Sequence, residues 1–230
     1  TLFPYTTLFR SAFALRTAQA AHLVFQQGDT DGALRRLDQL DPTTASPAAL
    51  AAASLVRARV AFSTSTVAEA MAHAHEAVRL STTDAERVEA YSILSRVSYD
   101  HFPTAAAHAL TALQLAEHTD VPTTVLTSAL VGFAAATFMA GQGLDRECYR
   151  RAIELERDAP VYAADSAFAS FAAVLKVADE LDESRTMLLD LLATNRDDGA
   201  LPFALSHLPQ LELWAGNWDA AEDFSHRHLA

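Results

Sequence analysis

Lysine is nearly missing from this chain. Lys176 is the only one among 230 residues, beside sixteen arginines. Basic residues total 17 against 29 acidic ones, a formal net charge of −12. A surplus of that size repels phosphate backbones and leaves little counterion release to drive duplex binding. It argues against direct contact with nucleic acid. Cysteine is as scarce: Cys148 stands alone and cannot form an internal disulfide, which makes a reducing cytoplasm the natural compartment. No apolar run approaches the roughly 20 residues that cross a bilayer, so no membrane partner is expected. A phosphate-cradling P-loop needs G-x-x-x-x-G-K-[ST]. The single lysine is followed by Val177 inside an apolar stretch, so that loop is absent and no nucleotide cofactor is expected. Glycine and proline are sparse, at seven and eight, and most stand at breaks between apolar stretches rather than within them.

What is abundant is alanine, which makes up much of the 50% hydrophobic content. Alanine has the best helix propensity and lets helices approach closely. The composition predicts an all-α protein. The stretch Ala178–Ser225 shows its building rule. A helix opens at Leu181-Asp182-Glu183, and a break follows at Asp197-Asp198-Gly199. A second helix runs from Pro202 to Trp214, a tight turn stands at Gly216-Asn217, and a third helix starts at Trp218.

The preceding chain repeats this plan. A helix from Ala12 to Gln27 carries Ala20, Ala21 and Val24; Gly28-Asp29 turns it; a second helix places Ala33, Leu37 and Leu40 inward until Asp41-Pro42 stops it. The next pair opens at Pro47. Its second helix starts at a capping box read from Thr66 and Glu69, and carries Ala70, Ala74, Ala77 and Val78. A further box, Thr83 with Glu86, opens a helix presenting Ala90, Ile93, Leu94 and Val97. Phe102-Pro103 makes a corner before Ala106, Leu110 and Leu113. From Pro122 the expected inner stripe is Gly132, Ala135, Ala136 and Met139, followed by a Gly141-Gln142-Gly143 turn and then Cys148, Ala152 and Leu155. A fifth pair from Pro160 carries Phe168, Phe171, Ala172 and Leu175, then Ser184, Leu188 and Leu191. A sixth carries Ala204, Leu208 and Leu211, then Ala221.

The first inward position of each second helix reads Ala33, Ala70, Ala106, Cys148, Ser184, Ala221, in steps of 37, 36, 42, 36 and 37. All six residues are small, as two closely crossing helices require. Paired helices at a period near 37 are the mark of a helical solenoid, in which each hairpin buries its apolar stripe only by stacking on the next.

Two segments bear on the limits of the chain. Residues 1–11, TLFPYTTLFRS, are aromatic and threonine-rich without a helical period, and resemble a translated sequencing adapter. They are expected to be an artefactual leader. Residues 226–230 stop inside an apparent helix, so residues 12–230 are expected to be a solenoid truncated at its C-terminal end, open to self-association there.

Gly28-Asp29, Ala33 and Asp41-Pro42 resemble a tetratricopeptide (TPR) repeat. LDESRTMLLDLL and GALPFALSHLPQLELWAGNWDAAE resemble the repeat region of the large ATP-dependent LuxR-type, MalT-like transcriptional regulators. The resemblance spans residues 12–230 and is strongest from Pro122 onward. It implies a right-handed superhelical solenoid of about six antiparallel helix pairs. It also implies a non-catalytic segment that senses a protein, peptide or small-molecule effector, coupled in the family to ATPase and helix-turn-helix domains that this sequence does not contain. A stand-alone TPR adaptor is the alternative, and an all-α enzyme a distant third.

No constellation points to catalysis. His73 and His75 are two apart, as are His226 and His228, so each pair diverges on a helix. His101 and His108 could share a face, but no carboxylate or cysteine stands at ligand spacing, and no metal site is expected. Cys148 sits at a small-residue core position, where a thiol behaves as a small hydrophobe. Asp179-Glu180 and Asp182-Glu183 suit a helix start, and 196–199 reads as a solvated loop. Trp214 and Trp218 flank the Gly216 turn. The first helix of each pair lines the concave groove in TPR arrays, and register then assigns Tyr99, Phe133, Lys176, Gln210 and Trp214 to that groove.

Overall fold

The computed structural model describes residues 3–64, 66–98, 100–157, 166–194 and 200–229, with side chains described from Ala12 onward except at 194 and 229. Every element among them is helical: α1 (Phe3–Gln26), α2 (Thr30–Leu37), α3 (Pro47–Ser63), α4 (Val67–Leu80), α5 (Asp84–Val97), α6 (Phe102–His118), α7 (Thr123–Met139), α8 (Arg146–Glu156), α9 (Ala167–Val177), α10 (Leu181–Thr194), α11 (Ala200–Trp214) and α12 (Trp218–Leu229). Consecutive helices pack as the pairs α1–α2, α3–α4, α5–α6, α9–α10 and α11–α12, the all-α repeat architecture that the period predicts. The chain divides into two compact units, residues 1–136 and 137–230. The backbone of residues 3–11 continues as the first turns of α1, with Pro4 in the first turn, where a missing N–H is tolerated.

The cores show how the pairs depend on one another. In the first unit, Ala18 and Ala21 of α1 meet Ala33 and Leu37 of α2, and Val56 and Val60 of α3 complete the cluster. Ala70, Ala74 and Ala77 of α4 lie between Leu55 and Ala58 of α3 and Ile93, Leu94 and Val97 of α5. In the second unit, Ala169 and Ala172 of α9 and Leu188 and Leu191 of α10 are closed by Ala200, Ala204, Leu208 and Leu211 of α11. Each core is therefore one pair plus the first helix of the following pair. The six small positions are all buried, from 0% exposed at Ala33, Ala70 and Ser184 to 8% at Cys148. Ser184 satisfies its hydroxyl by donating to the Ala172 carbonyl at 2.7 Å, so even the polar member ties the two helices of its pair.

Four of the turns share one geometry. The amide of Asn217 donates to the Glu212 carbonyl at 2.8 Å, across Gly216 at φ 79°. The same bond spans five residues from Asp29 to Val24 across Gly28 (φ 84°), from Gln142 to Thr137 across Gly141 (φ 78°), and from Glu180 to Leu175 across Asp179 (φ 65°). This is the Schellman closure, which needs one left-handed residue. Of these four left-handed places, only 179 holds a residue with a Cβ.

Several sequence expectations are corrected. The Thr66–Glu69 box does not form: Thr66 makes no side-chain cap, and its hydroxyl instead donates to the Ala61 carbonyl at the end of α3, at 3.0 Å. Thr83 and Glu86 do form theirs. Leu110 and Met139 are 41% and 44% exposed, not inward; Ala109, and Ala129, Leu130 and Ala134, face the core instead, while Leu113 is buried as expected. Gly132 and Ala135 are only half-buried, and Ala20 yields its place on α1 to Ala14 and Ala18. In such uniformly apolar helices, periodicity cannot fix the register.

Asp179 offers a direct test of the turn. Asp179→Gly should relieve the left-handed strain and raise stability by about 0.5–1 kcal/mol, while Asp179→Ala should lower it. Thermal melts of the two variants would show this ordering. Melting temperatures moving in the opposite order would contradict the shared turn geometry.

Candidate functional site

The second unit gathers its polar chemistry on two first helices. Lys176 is the penultimate residue of α9 and only 4% exposed. Its Nζ donates to Gln210 Oε1 at 2.7 Å and to His207 Nδ1 at 3.0 Å. The same ammonium lies 5.3 Å from the centroid of the Trp214 ring. Residues 207, 210 and 214 are three and four apart, which puts them on one face of α11. Phe203, one turn earlier, packs its ring against His207 with centroids 4.6 Å apart.

The electrostatics follow from burial. Removal from water holds the Lys176 ammonium below its ordinary pKa. Burial, then the neighbouring Lys176 charge, pushes His207 down to about 4. His207 is therefore neutral at pH 7, and because Nδ1 accepts from lysine, hydrogen-bond logic assigns its proton to Nε2. Among the described residues no carboxylate pairs with Lys176. The ammonium is held by two neutral acceptors and a π face, while Gln210 and Trp214, the latter 55% exposed, open the cluster to solvent. The cation is already stripped of much of its water, which strengthens its attraction for any anionic group that reaches it.

Of the residues assigned to the groove from sequence, Lys176, Gln210 and Trp214 come together. Phe133 lies on α7 in the first unit, half-buried. Tyr99 lies outside the described residues. His207 was missed, although it stands three residues before Gln210 on the same helix face; the helical spacing was a signal that could have found it.

Other polar groups tie repeats together. Arg185 of α10 grips Glu212 of α11 through Nε at 2.6 Å and Nη2 at 3.0 Å, and Asn217 donates to the same carboxylate at 2.7 Å. Burial alone would raise the Glu212 pKa, but the Arg185 and Asn217 hydrogen bonds outweigh it and hold the group lowered and ionised. Arg146 of α8 meets Glu180 and Glu183 at the start of α10, so those acids serve a cross-repeat pair as well as a helix dipole. In the first unit, Arg59 of α3 bridges His22 of α1 and Glu89 of α5, each at 3.1 Å.

The remaining candidates take structural places. Cys148 is buried, and its amide donates to the capping Asp145 carboxylate. His101 caps α6, its Nδ1 accepting from the Thr104 amide at 3.3 Å. His108 stands beside His75 and Tyr91, with ring centroids 6.3 and 6.1 Å away. Among the described residues no three histidine, cysteine or acidic side chains are grouped closely enough to hold a metal ion. No helix among them is long and apolar enough to cross a membrane. Residues 195–199, with the Asp197-Asp198-Gly199 break, lie outside the described residues.

The helix pairs and their small-residue crossings define a TPR-like helical-repeat protein. No protein-family model and no curated protein matches the sequence. Among solved structures the chain is similar to that of Pseudomonas aeruginosa pilF, reported in that protein's functional characterization. The two are 17% identical with a TM-score of 0.54, over 94% of this chain and 90% of that one. At that identity the likeness concerns the fold.

The His207 environment predicts a pH dependence. Its pKa is lower folded than unfolded, so between pH 6.5 and about 4 the unfolded chain binds the extra proton and stability falls on acidification. Going from pH 7.5 to 5 should cost on the order of 1–2 kcal/mol through this group. His207→Gln should flatten that part of the slope, measured by denaturant unfolding at both pH values. An unchanged slope would contradict the burial of a neutral imidazole beside Lys176.

Proposed function

We propose that this chain is a non-catalytic interaction module that holds a protein or peptide segment, or a small acidic effector, along the first helices of its repeats. The observation that carries this reading is the Lys176 cluster: a nearly buried ammonium without a carboxylate partner among the described residues, beside the exposed ring of Trp214. A ligand carboxylate would supply the missing countercharge, and an apolar neighbour on the ligand would cover the indole. By sequence register alone, Phe133 and Tyr99 are proposed as groove residues of the first unit.

We further read the chain as the sensing segment of a LuxR-type, MalT-like cytoplasmic regulator, because residues 181–192 and 199–222 resemble that family's repeat region. A stand-alone TPR adaptor fits the helical fold equally well. The full-length gene separates them. A P-loop domain upstream and a basic helix-turn-helix downstream would establish the regulator, and an open reading frame of repeats alone would establish the adaptor. In both readings the chain itself neither hydrolyses ATP nor binds duplex DNA.

The groove is tested by indole fluorescence in a Trp218→Phe background, which leaves Trp214 as the reporter. Short acidic peptides bearing one aromatic residue should give a saturable change, weakened at least about tenfold by Lys176→Gln, the 1.4 kcal/mol expected of one lost charged contact. Equal responses to acidic and neutral peptides, indifferent to Lys176→Gln, would refute the site.

A further inference from the structure

Three rings from three consecutive helices of the first unit meet at one place. His75 lies on α4 and His108 on α6, the second helices of neighbouring pairs, and Tyr91 lies on α5, the helix that joins them along the chain. The two imidazole centroids are 6.3 Å apart, with the rings near edge-to-face at 74°. The Tyr91 ring flanks His108 at 6.1 Å. Sequence spacing pairs His108 with His101, but His101 Nδ1 is committed to the cap of α6. The imidazole that the fold brings to His108 is His75, from the preceding pair.

Among the described residues neither of these two imidazoles makes a hydrogen bond, so their ring nitrogens are not spent on the fold. Burial, then the charge of His75, holds His108 below its ordinary pKa; at pH 7.5 it is neutral and offers a nitrogen lone pair. The arginines one turn away on the same helices are occupied. Arg79 grips Glu76 through Nε at 2.8 Å, and Arg87 grips Asp84 at 2.6 Å. A zinc–imidazole bond of about 2.0–2.1 Å puts the ion about 3.2 Å from a ring centroid. Two ligating rings are then at most about 6.4 Å apart, and about 5.2 Å apart at a tetrahedral angle. The observed 6.3 Å falls inside that limit, and rotation of the exposed His75 side chain closes the difference. His108 is half-buried beside Tyr91, which itself packs on the core of α3, α4 and α5, so one ligand is held while the other adjusts.

We propose that His75 and His108 form a two-imidazole site for a divalent transition-metal ion, zinc or copper, that clamps the α3–α4 pair to the α5–α6 pair. Imidazole suits these ions, whereas magnesium and calcium take oxygen ligands. A closed structural centre would need four protein ligands. With two, water fills the remaining positions and the ion exchanges with solvent on the side where His75 is exposed. The ion therefore acts as a reversible tie between neighbouring repeats.

Isothermal titration calorimetry of the full chain at pH 7.5 tests this, in a parent carrying His226→Gln and His228→Gln to remove another histidine pair. Zinc should bind one per chain in the micromolar range, copper more tightly, and magnesium not at all. His75→Gln and His108→Gln should each weaken zinc binding at least about tenfold, while His73→Gln leaves it unchanged. Zinc should also raise the melting temperature of the parent and of His73→Gln, but not of His75→Gln, because an ion bound only by the folded pair stabilises it. His75 is exposed, so its variant should keep the fold, which circular dichroism checks. A parent that binds neither zinc nor copper, an affinity indifferent to His75→Gln, an equal loss in His73→Gln, or binding without a rise in melting temperature would each overturn the proposal.

Discussion

The structure rests on the close crossing of the two helices within each pair. An alanine-rich hairpin cannot bury enough surface by itself, because a methyl group contributes little hydrophobic free energy, at about 25 cal/mol per Å² of apolar area. It gains stability by bringing backbones close enough for the larger residues of the next first helix to reach across. That is why residues 33, 70, 106, 184 and 221 are small and buried, and why the three cores each include a helix from the following pair. Size matters at these positions more than polarity. Ser184 qualifies because its hydroxyl finds the Ala172 carbonyl.

The same interlocking distributes the charges. A long side chain on one repeat reaches its neighbour, as in Arg59 with Glu89, Arg146 with Glu183 and Arg185 with Glu212. Exposed pairs of this type contribute little, roughly 0–1 kcal/mol each. Arg185–Glu212 differs because the carboxylate side chain is only 4% exposed, so losing either partner would leave an uncompensated buried charge. Lys176 holds a similar inter-repeat place with neutral partners. A cation with no carboxylate partner among the described residues is the feature that turns a structural tie into a candidate binding site.

The pairing of helices, the turns at Gly28, Gly141 and Gly216, and the small crossing residues were all legible in the sequence, because each leaves a local mark: a glycine, a helix cap, a missing side chain. The register of α7 was not legible. Nearly every residue from Val125 to Met139 is apolar, and first helices are covered on more than one side, so no polar face marks the outside. The Thr66 cap failed for a related reason: its hydroxyl had two possible partners, and the carbonyls ending α3 won. Within the candidate site, Lys176, Gln210 and Trp214 followed from their places on first helices. His207 required knowing that burial would keep an imidazole neutral, and the His75–His108 contact joins residues 33 apart along the chain, beyond any local pattern.

Native-state hydrogen exchange tests most directly the claim that each pair is completed by the first helix of the next. Repeat proteins open in units whose stability sums local and nearest-neighbour terms. Amides of α10, enclosed between α9 and α11, should exchange only through the larger unfolding events. Leu208→Ala, which removes bulk from the face of α11 that closes the α9–α10 pair, should make them exchange at least about tenfold faster. Unchanged protection of α10 in that variant would contradict nearest-neighbour completion as the source of stability in this fold.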